Sequence, residues 1–303
     1  MQYVVNKPIR LIELFAGIGS QAMALRDIGA TFEHYRVVEF DKYPVASYNA
    51  IHGTNFPTMD ITKISGDDLG IVDTDQYTYL MTYSFPCQDL SLAGRGQGMT
   101  KGSGTRSGLL WEVERLLNET ENLPQILVME NVPQVHGTKN LADFQSWLDY
   151  LSSRGYTTYW QDLNAVDFGI PQSRNRCLAV SILGDYTFEF PKPIPATNTM
   201  RGFLEEKVDD RYYLTSDKAK ILLDNLVYSG KLLQFLNRGG TSGIILRNCG
   251  SSDESREPSA KPADTAATLL SRDYKGLSNY GSNAVIECSR LGLHRERNGK
   301  TPE

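Results

Sequence analysis

The sequence predicts an α/β protein: a doubly wound, mostly parallel sheet followed by a smaller, irregular second domain. Three observations predict it. Short apolar runs alternate with amphipathic helical segments through the first 184 residues. A glycine-rich turn leaves the first apolar run and opens a helix. Three prolines between positions 191 and 195 then mark a change of character, after which Gly/Ser/Asn-rich turns and short β-like pieces take over. The resulting boundaries are residues 1–190 for the α/β domain and 191–303 for the second.

Each element has a local reason. "IRLIELF" (9–15) is a short apolar run of the kind a buried strand needs. "SQAMALRDIG" carries apolar residues at helical spacing and closes on Gly29, a fitting C-cap. "YRVVEFD" reads as a strand. "YPVASYNAIHG" reads as a helix ending at Gly53, with Pro44 tolerable in its first turn. "YLMTYSF" (79–85) is a strand and "SGLLWEVERLLNE" an amphipathic helix. "PQILVMENV" is a strand, and "LADFQSWLDYLSSRG" a helix that stops at Gly155. "YTTYWQDLNA" and "RCLAVSIL" read as further strands, able to pair as a hairpin. Right-handed crossovers put the helices on both faces. In the second part, "SDKAKILLDNLVYSG" reads as a helix.

Composition excludes several classes. Of the 303 residues, 40% are hydrophobic and 22% charged, ordinary values for a soluble globular chain. No run approaches 18 apolar residues, so no transmembrane helix and no membrane partner is expected. "MQYVVNKPIRLIELF" lacks the parts of a signal peptide. Cys87, Cys177, Cys249 and Cys288 form no CxxC pair, and the four histidines are scattered. The spacing therefore argues against a disulfide framework and against zinc, no metal is expected, and a reducing cytoplasmic setting fits. The net charge of −5 does not by itself suggest nucleic acid. Residues through Gly184 carry 14 basic and 20 acidic side chains and the remainder 17 and 16, so the second part is close to neutral.

Candidate functional residues fall at the ends of the apolar runs. Gly17-x-Gly19-x-x-Ala22 fits a dinucleotide-type fingerprint: glycine permits the sharp turn and close ligand approach, and the helix N-terminus attracts an anion. The same pattern also describes an ordinary strand-to-helix turn. Glu39, about 20 residues on, can accept from ribose hydroxyls. Asp60, in "TMDITKI", is a candidate for the next position along the same edge. Cys87 follows the fourth strand of the series and emerges at that edge, with Pro86 fixing the backbone before it. A cysteine is intrinsically nucleophilic, yet one in such a place is more often a small buried hydrophobe. Glu130 ends the next strand. An acid after four apolar residues is costly to bury unpartnered, and with a raised pKa it can share a proton with a ring nitrogen. Arg174 and Arg176, two apart on entering a strand, point to one face and can hold an anion or a polar base edge; otherwise they are surface arginines.

With "FAGIGS", "VVEFDK", "SFPCQDLSLAG", "MENV" and "QSRNR" in this order, the chain resembles the DNA (cytosine-5) methyltransferases of bacterial or phage type. The Pro-Cys-Gln, Glu-Asn-Val and Gln-x-Arg-x-Arg elements are the specific ones. The resemblance runs from about Ile9 to Leu183, and "AATLLSRDYKG" extends it weakly into the second part. It implies a Rossmann-like fold of the S-adenosylmethionine-dependent type, with a catalytic and cofactor-binding domain followed by a target recognition domain. It implies S-adenosylmethionine as cofactor, framed by Phe15, Gly17 and Gly19. Glu39 is then on the ribose, Phe40 against the adenine and Asp60 at its amino group, with Pro86 and Leu109 or Leu110 adding contact. It implies Cys87 as nucleophile, with Glu130, Arg174 and Arg176 around a cytosine flipped out of double-stranded DNA. The glycine- and base-rich stretch "SLAGRGQGMTKGSGTRSG" suits a lid.

The implied activity is transfer of a methyl group to cytosine C5 in a short DNA sequence, in a setting that can include a restriction enzyme. One departure from the family pattern is visible. An Arg-rich helical segment and a C-terminal Gly-Asn element usually follow the recognition domain, and "NAVIECSRLGLHRERNGKTPE" carries neither. A truncated or split enzyme, completed by a second polypeptide or inactive alone, is therefore an alternative expectation, as is an RNA cytosine methyltransferase.

Overall fold

The computed structural model describes residues 1–90, 97–195, 199–203, 244–247, 266–267 and 284–287. The expected helix "SDKAKILLDNLVYSG" and the last segment, beyond position 287, lie outside the described residues. The chain divides into two compact units, Met1–Leu163 with Asn175–Pro191, and Asn164–Arg174 with Lys192–Glu303.

The first unit is built on a six-stranded sheet. Its elements in chain order are β1 (Ile9–Leu14), α1 (Ser20–Asp27), β2 (Phe32–Val38), α2 (Lys42–His52), β3 (Thr78–Tyr83), α3 (Leu110–Glu119), β4 (Ile126–Asn131), α4 (Leu141–Ser153) and β5 (Tyr156–Asn164). After the two-residue β6 (Gln172–Ser173) comes β7 (Asn175–Leu183). The sheet order is β2-β1-β3-β4-β7-β5. The first four strands in that order run parallel, and β7 is antiparallel to β4. The two strands expected to pair, "YTTYWQDLNA" and "RCLAVSIL", are neighbours.

Local chemistry explains the boundaries. Asp41 caps α2 by accepting from the Tyr43 N–H at 3.0 Å, and Gly53 ends that helix in the left-handed region at φ 65°. Leu110, Val113, Leu116 and Leu117 form the buried face of α3. Phe144, Trp147 and Leu151 form that of α4. These faces meet Met81, Tyr83, Leu127 and Met129 in the core. The strand before Cys87, expected as the fourth, is the third: positions 53–65, which carry Asp60, are coil and turn. Polar "NFPTMDITK" has too little apolar alternation to hold a place in a sheet buried on both faces.

In the second unit, β8 (Ile244–Arg247) pairs in parallel with β10 (Ala284–Glu287). Strand β6 pairs in parallel with β9 (Ala266–Ala267), the start of "AATLLSRDYKG". Among the described residues no helix is long and apolar enough to cross a membrane.

A buried polar chain supports the β1–α1 turn from below. Glu13, inside β1, accepts from the Tyr48 hydroxyl at 2.6 Å. That hydroxyl lies 2.6 Å from His34 Nδ1. Tyr48 has one proton and spends it on Glu13, so His34 donates from Nδ1. Burial raises the Glu13 carboxyl, opposed by hydrogen bonds from Tyr48 and the Ala22 backbone. Burial, and after it the neighbouring His52, lowers His34.

The two shifts act on stability in opposite senses. A depressed histidine adds stability above its unfolded pKa of about 6.5, and that stability is lost as pH falls through the depressed folded value. A raised carboxyl adds stability at low pH and loses it as pH rises through the raised value. Comparing the protein with His34→Gln cancels the Glu13 part. We expect the melting temperature to drop less in His34→Gln than in the parent when pH is lowered from about 7 to about 5.

Candidate active site

Strand register decides where the candidate residues emerge. Leu14 pairs with Val38 on one side and Tyr83 on the other, and Tyr83 pairs with Met129. These four make one row across the sheet. Phe15, Glu39, Ser84 and Glu130 are therefore level in the next row, at the carboxyl edge. The strand order reverses between β1 and β3. Open α/β sheets bind ligands in the crevice at such a reversal.

The β1–α1 turn is strained and braced. Phe15 has φ 57°, a left-handed conformation that a bulky side chain rarely adopts. Its N–H donates to the Val38 carbonyl at 2.8 Å, which ties the turn to β2. Glu39 completes the brace, accepting from the N–H of Gly17 at 3.1 Å and of Asp41 at 3.0 Å. The two glycines serve different ends. A Cβ on Gly17 meets nothing within 4 Å, whereas one on Gly19 sits 2.5 Å from both His52 Nε2 and the Tyr48 ring. Gly17 thus faces open space, and Gly19 lets α2 pack close. His52 Nε2 also lies 3.1 Å from the Ile18 carbonyl between them.

Beside this turn, Phe40 is 73% exposed, although it is a large aromatic. The Met59 N–H donates to the Glu39 carbonyl at 2.8 Å, which brings Asp60 to the same rim. Asp60 accepts from the Thr62 hydroxyl at 2.8 Å and the Thr62 N–H at 3.0 Å. These two bonds, ahead of Lys63, hold its carboxyl below the usual carboxylate range. Of the two leucines expected here, Leu110 is fully buried and Leu109 is half-buried.

Cys87 is half-buried, and the backbone on either side of it is fixed. The Asn131 amide donates to the Phe85 carbonyl at 3.0 Å. The Ser107 hydroxyl donates to the Pro86 carbonyl at 2.7 Å. The Leu90 N–H donates to the carbonyl of Cys87 itself at 3.1 Å. Ser107 and Asp89 then exchange bonds: the Asp89 N–H donates to Ser107 Oγ, and the Ser107 N–H to Asp89 Oδ2, both at 3.2 Å. Both residues are buried, so these bonds are hard to replace with water. Arg106 donates to Gln88 at 2.8 Å. Asn131 and Asp89 lie inside the quoted motifs "MENV" and "SFPCQDLSLAG", yet the sequence assigns neither a role, and no motif contains the pairing with Ser107. The signal at Ser107 is a small hydroxyl residue shortly before the apolar stripe of α3.

Glu130 is near the end of β4, Cys87 lies beyond the neighbouring parallel strand β3, and Asn131 links the two. Glu130 Oε1 pairs with Arg176 Nε at 3.0 Å, the two side chains 26% and 21% exposed. Arg174 departs from the expectation of two arginines on one strand. It lies in the gap between β6 and β7, in the second unit. There its N–H donates to Asn164 Oδ1 at 2.8 Å and its carbonyl accepts from the Ala165 N–H at 3.0 Å. The Asn164 side chain draws the Arg174 backbone away from a ladder, so the strand starts one residue later. Of the stretch 91–108 that suits a lid, residues 91–96 lie outside the described residues.

The family model for C-5 cytosine-specific DNA methylases matches residues 9–249. The type II methyltransferase M2.ScrFI of Lactococcus lactis subsp. cremoris is 33% identical over 270 residues, covering 73% of this chain and 74% of that protein. The orphan methyltransferase M.SssI of Spiroplasma monobiae is 31% identical over 294 residues, covering 78% of this chain and 74% of that protein. Among solved structures, the Entamoeba histolytica methyltransferase EhMeth aligns with a TM-score of 0.66 at 16% identity, covering 92% of this chain and 76% of that one. S. pombe Dnmt2 aligns with a TM-score of 0.63 at 19% identity, with the same coverage of 92% and 76%. Likenesses at that identity establish the fold.

The geometry of the two turns sets the cost of altering them. Gly17→Ala should cost about 1–2 kcal/mol, the penalty of a Cβ in the left-handed region. Gly19→Ala should cost more, because Tyr48 and His52 must also move; denaturant midpoints of the two variants give the ranking. Ser107→Ala should lower stability by about 1–3 kcal/mol, since it strands the part-buried Pro86 carbonyl and the buried Asp89 N–H. A midpoint unchanged from the parent would show that these bonds do not hold the loop.

Proposed function

Because the chain belongs to the C-5 cytosine-specific DNA methylase family, we infer from its own residues how it works as an S-adenosylmethionine-dependent DNA (cytosine-5) methyltransferase. The observation that carries the assignment of roles is the level row at the sheet edge. It sets the glycine turn, Glu39 and Glu130 around the strand after which Cys87 follows.

The rim beside β1 fits the cofactor. It offers open space at Gly17, a carboxylate anchored at that turn, an exposed aromatic ring and an ionised acid tied to the same rim. We assign Glu39 to the ribose hydroxyls, Phe40 to the adenine face and Asp60 to the adenine amino group. Phe15, Gly17, Gly19, Pro86 and Leu109 form the walls. When bound, the cofactor supplies an electrophilic methyl group on a sulfonium.

Cytosine C5 is a weak nucleophile, and Cys87 corrects this. Its thiolate adds to C6; the S–C6 bond forms and the C5–C6 π electrons move into the ring, leaving C5 enamine-like. Glu130 supports the addition by holding a proton at N3. Arg176, on the Glu130 carboxylate, orients that acid. Arg174 is assigned to the cytosine O2, where charge develops. Once C5 carries the methyl group, loss of the C5 proton restores the double bond and expels the Cys87 sulfur. The target base reaches the thiol by leaving the duplex stack, as in methyltransferases generally. Residues 191–303 are assigned to target recognition in double-stranded DNA.

A fluorine at C5 cannot leave as a proton does, so DNA carrying 5-fluorocytosine traps the Cys87 adduct. With cofactor present, the chain should form a denaturation-resistant adduct that Cys87→Ser does not form. Glu130→Gln should slow adduct formation by about 10²–10⁴-fold. An adduct that survives Cys87→Ser, or its absence when cofactor binding is demonstrated by calorimetry, defeats this assignment.

A further inference from the structure

A second cluster of chemically active side chains takes no part in the roles assigned above. His136 closes the short helical turn Pro133–His136 after β4, Asp162 is on β5 and Cys177 is on β7. All three belong to the first unit. Their ligand atoms lie within 4.8 Å of one another. His136 Nε2 and Asp162 Oδ1 are already 2.9 Å apart. One imidazole nitrogen, one carboxylate oxygen and one thiol make the mixed N/O/S set that zinc-type ions select.

The geometry is close to what such an ion needs. Metal–ligand distances of roughly 2.0–2.3 Å put tetrahedral ligand atoms about 3–4 Å apart. Closing the widest gap, at most 4.8 Å, takes a movement of about 1 Å. Charge also balances, because a carboxylate and a thiolate neutralise a divalent cation. Cys177 is fully buried, against the partly exposed Asp162 and His136 at 32% and 23% of their side chains. The fourth position therefore opens toward solvent and suits water. Two aromatic rings wall the imidazole: Trp160 at 4.7 Å and Phe144 at 6.1 Å between ring centroids. They restrict its rotation, as an ordered ligand requires.

We propose that His136, Asp162 and Cys177 form a three-ligand site for a divalent zinc-type ion, completed by water. The metal–sulfur bond replaces the S–H bond, and the proton goes to solvent. The ion joins β5 and β7 to the turn after β4, next to the strand position of Arg176. The site is independent of the methyltransferase reading, and its test does not use turnover.

Cobalt(II) reports both the thiolate and the coordination number. Titrated into the metal-stripped 303-residue chain, it should bind at one equivalent. It should give a thiolate-to-cobalt charge-transfer band and the intense visible bands of a four-coordinate ion. Cys177→Ser should abolish the charge-transfer band, and Asp162→Asn and His136→Gln should each weaken binding at least tenfold, whereas Cys87→Ser should leave the spectrum intact. Asp162→Asn is a conservative change at a partly exposed position, so it keeps the test valid if a Cys177 variant folds poorly. Absence of a charge-transfer band in the parent overturns the proposal and leaves His136 and Asp162 as a plain hydrogen-bonded pair. A band that persists in Cys177→Ser also overturns it, as does unweakened binding in Asp162→Asn.

Discussion

Parallel pairing in register is the constraint on which this molecule depends. Leu14, Val38, Tyr83 and Met129 are partners across three strand pairs, so the next residue of each strand is delivered to the same level of the same edge. A slip of one residue in any pair would turn every side chain of that strand to the other face. It would bury Glu39 or Glu130 and turn Val38 or Met129 outward. The apolar residues of the row are buried on both sides of the sheet, and that burial pins the register. The chemistry of the edge is thus held by the hydrophobic interior behind it.

Beyond the edge, side chains do the positioning. The backbone before Cys87 leaves the sheet and would otherwise carry unpaired carbonyls. Asn131 and Ser107 satisfy those of Phe85 and Pro86 from two different places, the end of β4 and the short turn Ser107–Leu109 that leads into α3. The nucleophile's loop is therefore referenced to the strand that carries Glu130 and to the helix that packs beneath it. The glycine turn is treated alike, with Glu39 accepting from Gly17 and the Glu13–Tyr48–His34 chain beneath. Strain at Phe15 is tolerated because β2 anchors its N–H.

Arg176 shows how a residue's partner changes its meaning. As one of two arginines in a short motif it reads as a substrate contact. On β7, antiparallel to β4, it meets Glu130, and its charge then serves the acid. Arg174, two residues earlier, is held by Asn164 and sits before the strand. A period-of-two reading cannot foresee this, because it assumes that the ladder continues through both residues.

The sequence by itself determined the alternation of strands and helices, the glycine turn, and the identity of Cys87, Glu39 and Glu130 as strand-end residues. These are local properties, set by apolar spacing, by which residues accept positive φ, and by the few residues that end a run. The family motifs were legible for the same reason: each is a short, contiguous stretch. Only the tertiary structure decided that β7 enters between β4 and β5, that Asp60 sits on coil and not at a strand end, and that Ser107 secures Pro86. It likewise decided that His136, Asp162 and Cys177 meet although their spacing follows no ligand motif. The physical reason is common to all of these: strand order and side-chain convergence are set by burying apolar faces across the whole sheet, and separation along the chain carries no record of that.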